Sequence, residues 1–179
     1  MSFTKSVDTK KKLLLNQSAN ILTMLNLGSG SMALILIMKG HASLAAGLIF
    51  LAAICDMYDG KVARNLNISS DFGKQLDSLA DLISFGVAPA LLIYQSILFQ
   101  YSIAGILLTV MYILCGAIRL ARFNVTTFTG NFQGLPIPAA GCLLALFFLM
   151  KFYIPSVFFM FILLGLSVLM IGTFKVKKI

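Results

Sequence analysis

The chain has 179 residues, 59 % hydrophobic and only 11 % charged, where soluble domains carry roughly 25 % charge and 45–50 % apolar residues. No soluble interior of this size hides so much apolar side chain, which excludes a soluble enzyme, a disordered protein and a disulfide scaffold and leaves an integral membrane protein. The 14 Lys and Arg outnumber 6 acids, all Asp, for a formal charge of +8; scattered between apolar runs, these bases fit membrane topology and anionic lipid, not nucleic acid.

Residues 1–17 are polar and basic, with Lys5, Lys10, Lys11 and Lys12 before Leu13, Leu14 and Leu15. The pattern predicts a short interfacial helix with its lysines at the headgroups. The next apolar run is about 20 residues long, beyond the ~7–15 of a signal-peptide core, and is read as a retained span. Six spans are expected, at 19–38, 43–64, 76–98, 102–123, 136–152 and 155–174, each near the ~20 residues that cross the hydrocarbon. Short connections at 39–42, 99–101 and 152–155 predict antiparallel hairpins, whereas 65–75 and 124–135 are longer and polar. The expected fold is all-α: a polytopic membrane domain of six helices over 18–175, an interfacial segment over 1–17 and a basic tail at 176–179.

Twelve of the 14 bases fall at one end of these spans, including Lys61, Arg64, Lys74, Arg119 and Arg122; only Lys39 and Lys151 fall at the other. This asymmetry predicts that both termini and the two longer loops face the cytoplasm. Cys55, Cys115 and Cys142 lie within apolar runs and read as small buried hydrophobes. His41, the sole histidine, lies in a short connection, which argues against a multi-histidine metal site.

Five of the six acids lie between residues 55 and 86. Asp56 and Asp59 are three apart near the cytoplasmic end of the second span, on one helical face. Asp77 and Asp81 are four apart at the start of the third, again on one face. The two helices are antiparallel neighbours, so four carboxylates meet at one depth. Unpaired, they would repel at a cost of several kcal/mol. A divalent cation, or two sharing a carboxylate, removes that penalty, and oxygen clusters suit Mg²⁺, Mn²⁺ and Ca²⁺. Pairing with Lys61, Arg64 and Lys74 is the structural alternative, but three bases do not balance five acids. Gly60, Ala63 and Gly73 remove bulk among the acids, although small residues in membrane helices also mark close packing.

The spacing Asp56-x2-Asp59-Gly60-x2-Ala63-Arg64-x8-Gly73-x3-Asp77-x3-Asp81 resembles the signature of the CDP-alcohol phosphatidyltransferase family, with every fixed position filled. The family also resembles the chain in its six spans and cytoplasmic termini, over about residues 15–175. Two further stretches are similar to the serine-accepting, phosphatidylserine synthase branch: Phe72 to Gly86, and Arg119-Leu-Ala-Arg122-Phe-Asn124 with Phe132 to Ala140. The resemblance implies phosphatidyl transfer from CDP-diacylglycerol to L-serine with release of CMP, in a prokaryotic cell membrane and from a homodimer. By the same resemblance Asp56, Asp59, Asp77 and Asp81 hold the metal, Mg²⁺ or Mn²⁺, and Asp81 is also the general base. Gly60, Ala63 and Gly73 make room for the nucleotide, Arg64 supports the pyrophosphate or its loop, and Asn20 and Thr23 on the first span line the same cavity.

The chemistry agrees with these residue types. A pyrophosphate donor needs cation neutralisation as charge moves to the leaving group. An attacking hydroxyl needs a base, and carboxylates are the candidates. A zwitterionic acceptor also brings a carboxylate, which Arg119 and Arg122 can take through paired hydrogen bonds; their alternative role is topology and headgroup contact. Pro136 and Pro138 are expected to fix the loop 124–135 over the site. Three alternatives stand: another acceptor such as glycerol 3-phosphate or inositol phosphate, an archaeal-type lipid donor, and a divalent-cation transporter. The last predicts acids near the midplane on several helices and an inverted repeat, neither of which the sequence shows.

Overall fold

A computed structural model describes the backbone of residues 2–65, 71–125, 132–172 and 175–176, and the side chains of 20–61, 71–125 and 134–172. Its helices are α1 (Ser2–Met38), α2 (Ala42–Asn65), α3 (Asp71–Asp81), α4 (Ala88–Ser96), α5 (Ser102–Val125), α6 (Ile137–Leu149) and α7 (Ser156–Ile171). A π-helical segment, Leu82–Val87, joins α3 to α4, and a 3₁₀ turn, Leu98–Tyr101, leads into α5. The only extended pairing among the described residues is two residues long, Phe132 with Val176 and Gln133 with Lys175.

Four stretches are long and apolar enough to cross a membrane: Asn20–Met38, Ala42–Lys61, Asp71–Ser96 and Leu98–Val125. The fifth and sixth expected spans are shorter apolar helices, 13 and 16 residues long. The basic segment expected as a separate interfacial helix is instead the first part of α1, which runs unbroken for 37 residues, about 55 Å at 1.5 Å per residue. The α1–α2 hairpin closes as its short connection predicts. Gly40 takes φ +80°, its N–H reaches Ile37 O at 3.0 Å, and His41 N–H reaches Leu36 O at 2.8 Å, the paired bonds of a Schellman cap.

The π segment forms the middle of the bundle. Pro89 has no N–H to give the Phe85 carbonyl four residues earlier. The turn widens, Ala88 N–H bonds Ile83 O, and Tyr112 Oη from α5 donates to Phe85 O at 3.2 Å. Phe85 and Tyr112 are both fully buried. Helices approach this segment closely where they carry glycine: a Cβ on Gly141 of α6 would lie 2.7 Å from Phe85 Cα, and one on Gly30 of α1 would lie 2.7 Å from Ser84 Cα. Leu92, Ile137, Leu144, Phe148, Phe159 and Leu163 complete the core. Outward, Ile103, Leu107, Phe158, Phe161 and Val168 are exposed, a surface that hydrocarbon tolerates and water does not. This is an integral membrane protein.

Gly141→Ala is expected to cost about 1–3 kcal/mol, because its methyl group meets Phe85 backbone that cannot turn aside. Gly165→Ala on α7, where a Cβ meets nothing within 4 Å, is expected to be neutral or slightly stabilising by the helix preference of alanine. Thermal unfolding of the two variants in detergent separates them; equal melting temperatures would contradict the close packing of α6 on the π segment.

Candidate active site

The acids converge because α1 packs along both α2 and α3. One carboxylate oxygen each from Asp56, Asp59 and Asp77 lies within 4.8 Å of the others. Asp59 is buried and accepts a hydrogen bond from Thr23 Oγ1 at 3.0 Å. Asp81, also buried, stands outside this set of three but touches the Asp56 carboxyl. Asn26 Nδ2 of α1 donates to Asp81 Oδ1 at 3.4 Å, and Ser84 Oγ donates to the Asn26 carbonyl at 3.0 Å.

Of the bases considered as partners for the acids, Lys74 pairs with Asp71, outside the buried cluster, and Lys61 packs on a ring. Lys61 lies over the Tyr58 ring, 5.8 Å from its centroid, and Lys74 Nζ is 3.9 Å from the exposed Asp71. Gly60 and Gly73 are half-buried, next to Asp59 and one turn before Asp77. Ala63 and Arg64 sit on the last turns of α2, and their side chains lie outside the described residues. Asn20 is half-buried on α1, one turn before Thr23.

The two arginines differ. Arg119 is half-buried; its Nε is fully covered and has no hydrogen-bond partner among the described residues, and its charge acts on Asp81. Arg122 Nη1 donates to Ile171 O at 3.2 Å, closing the C-terminal end of α7. That end is held again from the other side, where Leu135 N–H reaches Leu169 O at 3.0 Å and Gly134, at φ +73°, would bring a Cβ within 2.6 Å of Met170 O. The segment before Pro136 is thus anchored on α7. Its preceding residues, 126–131, lie outside the described residues.

Asn26 and Ser84 escaped the sequence reading. The signal was present: Asn20, Thr23 and Asn26 recur every three residues in an apolar run, one polar face of α1.

The donor set fits a divalent ion. Three carboxylates offer hard oxygen ligands, and two oxygens on one ion stand at most about 4–5 Å apart, twice the ~2.0–2.6 Å ligand distance. The hydroxyl of Thr23 orients Asp59 as outer partners of metal ligands do.

A profile of the family described as CDP-alcohol phosphatidyltransferase matches residues 16–172. The chain is 43 % identical over 165 residues to an archaetidylserine synthase of Methanothermobacter thermautotrophicus, covering 89 % of this chain and 69 % of that protein. It is 41 % identical over 162 residues to a CDP-diacylglycerol–serine O-phosphatidyltransferase of Methanocaldococcus jannaschii, covering 89 % and 73 %. A protein of the same name from Bacillus subtilis is 40 % identical over 130 residues, covering 72 % and 73 %. With the family match, the apolar helices and clustered aspartates are those of a membrane-embedded transferase. The chain belongs to the CDP-alcohol phosphatidyltransferase family.

Proposed function

We propose that the protein transfers a phosphatidyl group from CDP-diacylglycerol to L-serine, giving phosphatidylserine and CMP. The observation that carries this reading is the set of three carboxylates within 4.8 Å, with a fourth, Asp81, held beside them by Asn26. The names of the relatives, over most of the chain, favour serine as acceptor.

Asp56, Asp59 and Asp77 would hold the ion, Mg²⁺ or Mn²⁺, with Asp81 at its edge. When bound, the ion neutralises the donor pyrophosphate and the charge that collects on departing CMP. Asp81 takes the proton of the serine hydroxyl as its oxygen bonds to the phosphatidyl phosphorus. The bond from that phosphorus to the bridging oxygen breaks, and CMP leaves with the electron pair. Gly60, Ala63 and Gly73 keep the helix surfaces low where the nucleotide lies, with Asn20 and Thr23 on the facing helix and Arg64 near the pyrophosphate. Arg119 holds the serine carboxylate. Arg122, tied to α7 at Ile171, fixes the end of α5 one turn away and takes part in binding the same carboxylate. The active-site end of a six-span bundle faces the cytoplasm of a prokaryotic cell, and the protein works as a homodimer.

A second reading of the donor, an archaeal-type lipid in place of diacylglycerol, is favoured by the similarity to the archaetidylserine synthase. The test is incubation of the purified protein with either CDP-lipid and, in turn, serine, glycerol 3-phosphate or inositol phosphate. CMP release and a new lipid are expected with serine alone. Product from a phosphorylated alcohol in place of serine would refute the acceptor assignment.

A further inference from the structure

Among the described residues two buried polar atoms, Asn26 Oδ1 and Arg119 Nε, have no hydrogen-bond partner; Asn26 bonds Asp81 through its Nδ2, and the Arg119 charge acts on the same carboxylate. The two atoms are of opposite kind, one an acceptor and one a donor. Buried polar atoms are normally satisfied, so each such exception calls for a partner: an ordered water, an ion or a bound ligand.

Asn26 is fully buried, and its position is tightly fixed. Its carbonyl takes the Ser84 hydroxyl at 3.0 Å, and Gly30, one turn on, packs against Ser84 Cα. Asp81 sets the amide orientation. Nδ2 faces Oδ1 of the carboxylate at 3.4 Å; the reverse orientation would put two acceptors together. The amide oxygen is therefore left as an open acceptor next to the group that takes the hydroxyl proton. An acceptor alcohol seated with its hydroxyl at Asp81 places its neighbouring substituents within reach of Asn26. A polyol brings a weak donor there, and a phosphorylated alcohol brings an anion that Oδ1 repels. An amino alcohol brings an ammonium group, which has donors only.

We propose that Asn26 Oδ1 receives the ammonium group of the acceptor amino acid and selects acceptors that carry one. The assignment rests on the reading of the protein as a serine-accepting transferase. Arg119 Nε supplies the complementary donor, for the carboxylate, so the two orphaned atoms together match a zwitterion.

The test compares L-serine with 3-hydroxypropionate, which keeps the hydroxyl and carboxylate and lacks the nitrogen. Serine is read as KM in CMP release from CDP-diacylglycerol. The analogue is read as Ki against serine, so it need not react. In the unmodified protein the analogue Ki is expected at least about tenfold above the serine KM, and equality of the two overturns the proposal without any variant. Asn26→Ala is expected to raise the serine KM by about 10–100-fold. The analogue Ki and the donor KM should stay within about threefold. Equal weakening of serine and analogue overturns the assignment and makes Asn26 a positioning residue for Asp81. A raised Mg²⁺ requirement in place of a raised serine KM overturns it too. Where Asn26→Ala does not fold, the comparison on the unmodified protein stands alone. Absence of CMP release with serine in the unmodified protein, with release on another alcohol, removes the acceptor reading itself.

Discussion

Asp81→Asn lowers serine-dependent CMP release by about 10²–10⁴-fold, the usual contribution of a positioned base, and leaves CDP-diacylglycerol binding within about threefold. The asparagine keeps the size of the side chain and an oxygen for the Asn26 amide, so the contact at 3.4 Å survives. What is lost is basicity. The expectation of retained binding follows from the position of Asp81 outside the three carboxylates that lie within 4.8 Å of one another. Donor binding and CMP release are measured on the same purified variant. Turnover within a few fold of the unmodified protein would take the base role away from Asp81. Loss of binding together with turnover would make it a metal ligand first.

Chelation by EDTA is expected to abolish CMP release, by about 10³-fold or more, since a cation supplies several kcal/mol of charge stabilisation at a transferring phosphoryl group. Added Mg²⁺ or Mn²⁺ restores it. Asp59→Asn does not recover at any metal concentration. Thr23→Val does recover, at about 10–100-fold higher metal, because it removes only the hydroxyl that orients Asp59. Full activity in EDTA would sink the metal reading, and an unchanged metal requirement in Thr23→Val would remove Thr23 from its outer shell.

The acidic site was legible because its signal is local. Asp56 with Asp59, and Asp77 with Asp81, share helical faces by spacing alone, and the two helices follow one another in the chain. The apolar runs placed four of the spans for the same reason. What distinguishes Arg119 from Arg122 is not local. Both stand at the end of one helix, three residues apart, and only the fold shows that Arg122 bonds Ile171, 49 residues away, while the buried charge of Arg119 acts on Asp81. Asn26 was hidden likewise: its partners Asp81 and Ser84 are 55 and 58 residues away. The continuous α1 departs from expectation because a change from basic to apolar composition at residue 18 alters the solvent a helix prefers, not its backbone hydrogen bonding. The fifth span came out short because the apolar run outlasts the helix: α6 ends at Leu149, and turns follow through Met150–Tyr153, where Met150, Phe152 and Tyr153 flank Lys151.

The widened turn at Leu82–Val87 sets an angular offset between two halves of one helix. A π turn is equivalent to one residue inserted into an α-helix, and one residue corresponds to about 100° of rotation. The half before it aims Asp77 and Asp81 at α1 and α2; the half after it aims Leu92 and Ile93 into the apolar core. Deleting a single residue there would restore a regular helix and turn one half by that angle against the other. Either the carboxylates would leave the ion site or the leucine and isoleucine would leave the core. Catalytic register and bundle packing are therefore coupled through the length of one turn, so this stretch tolerates changes of side chain far better than changes of length.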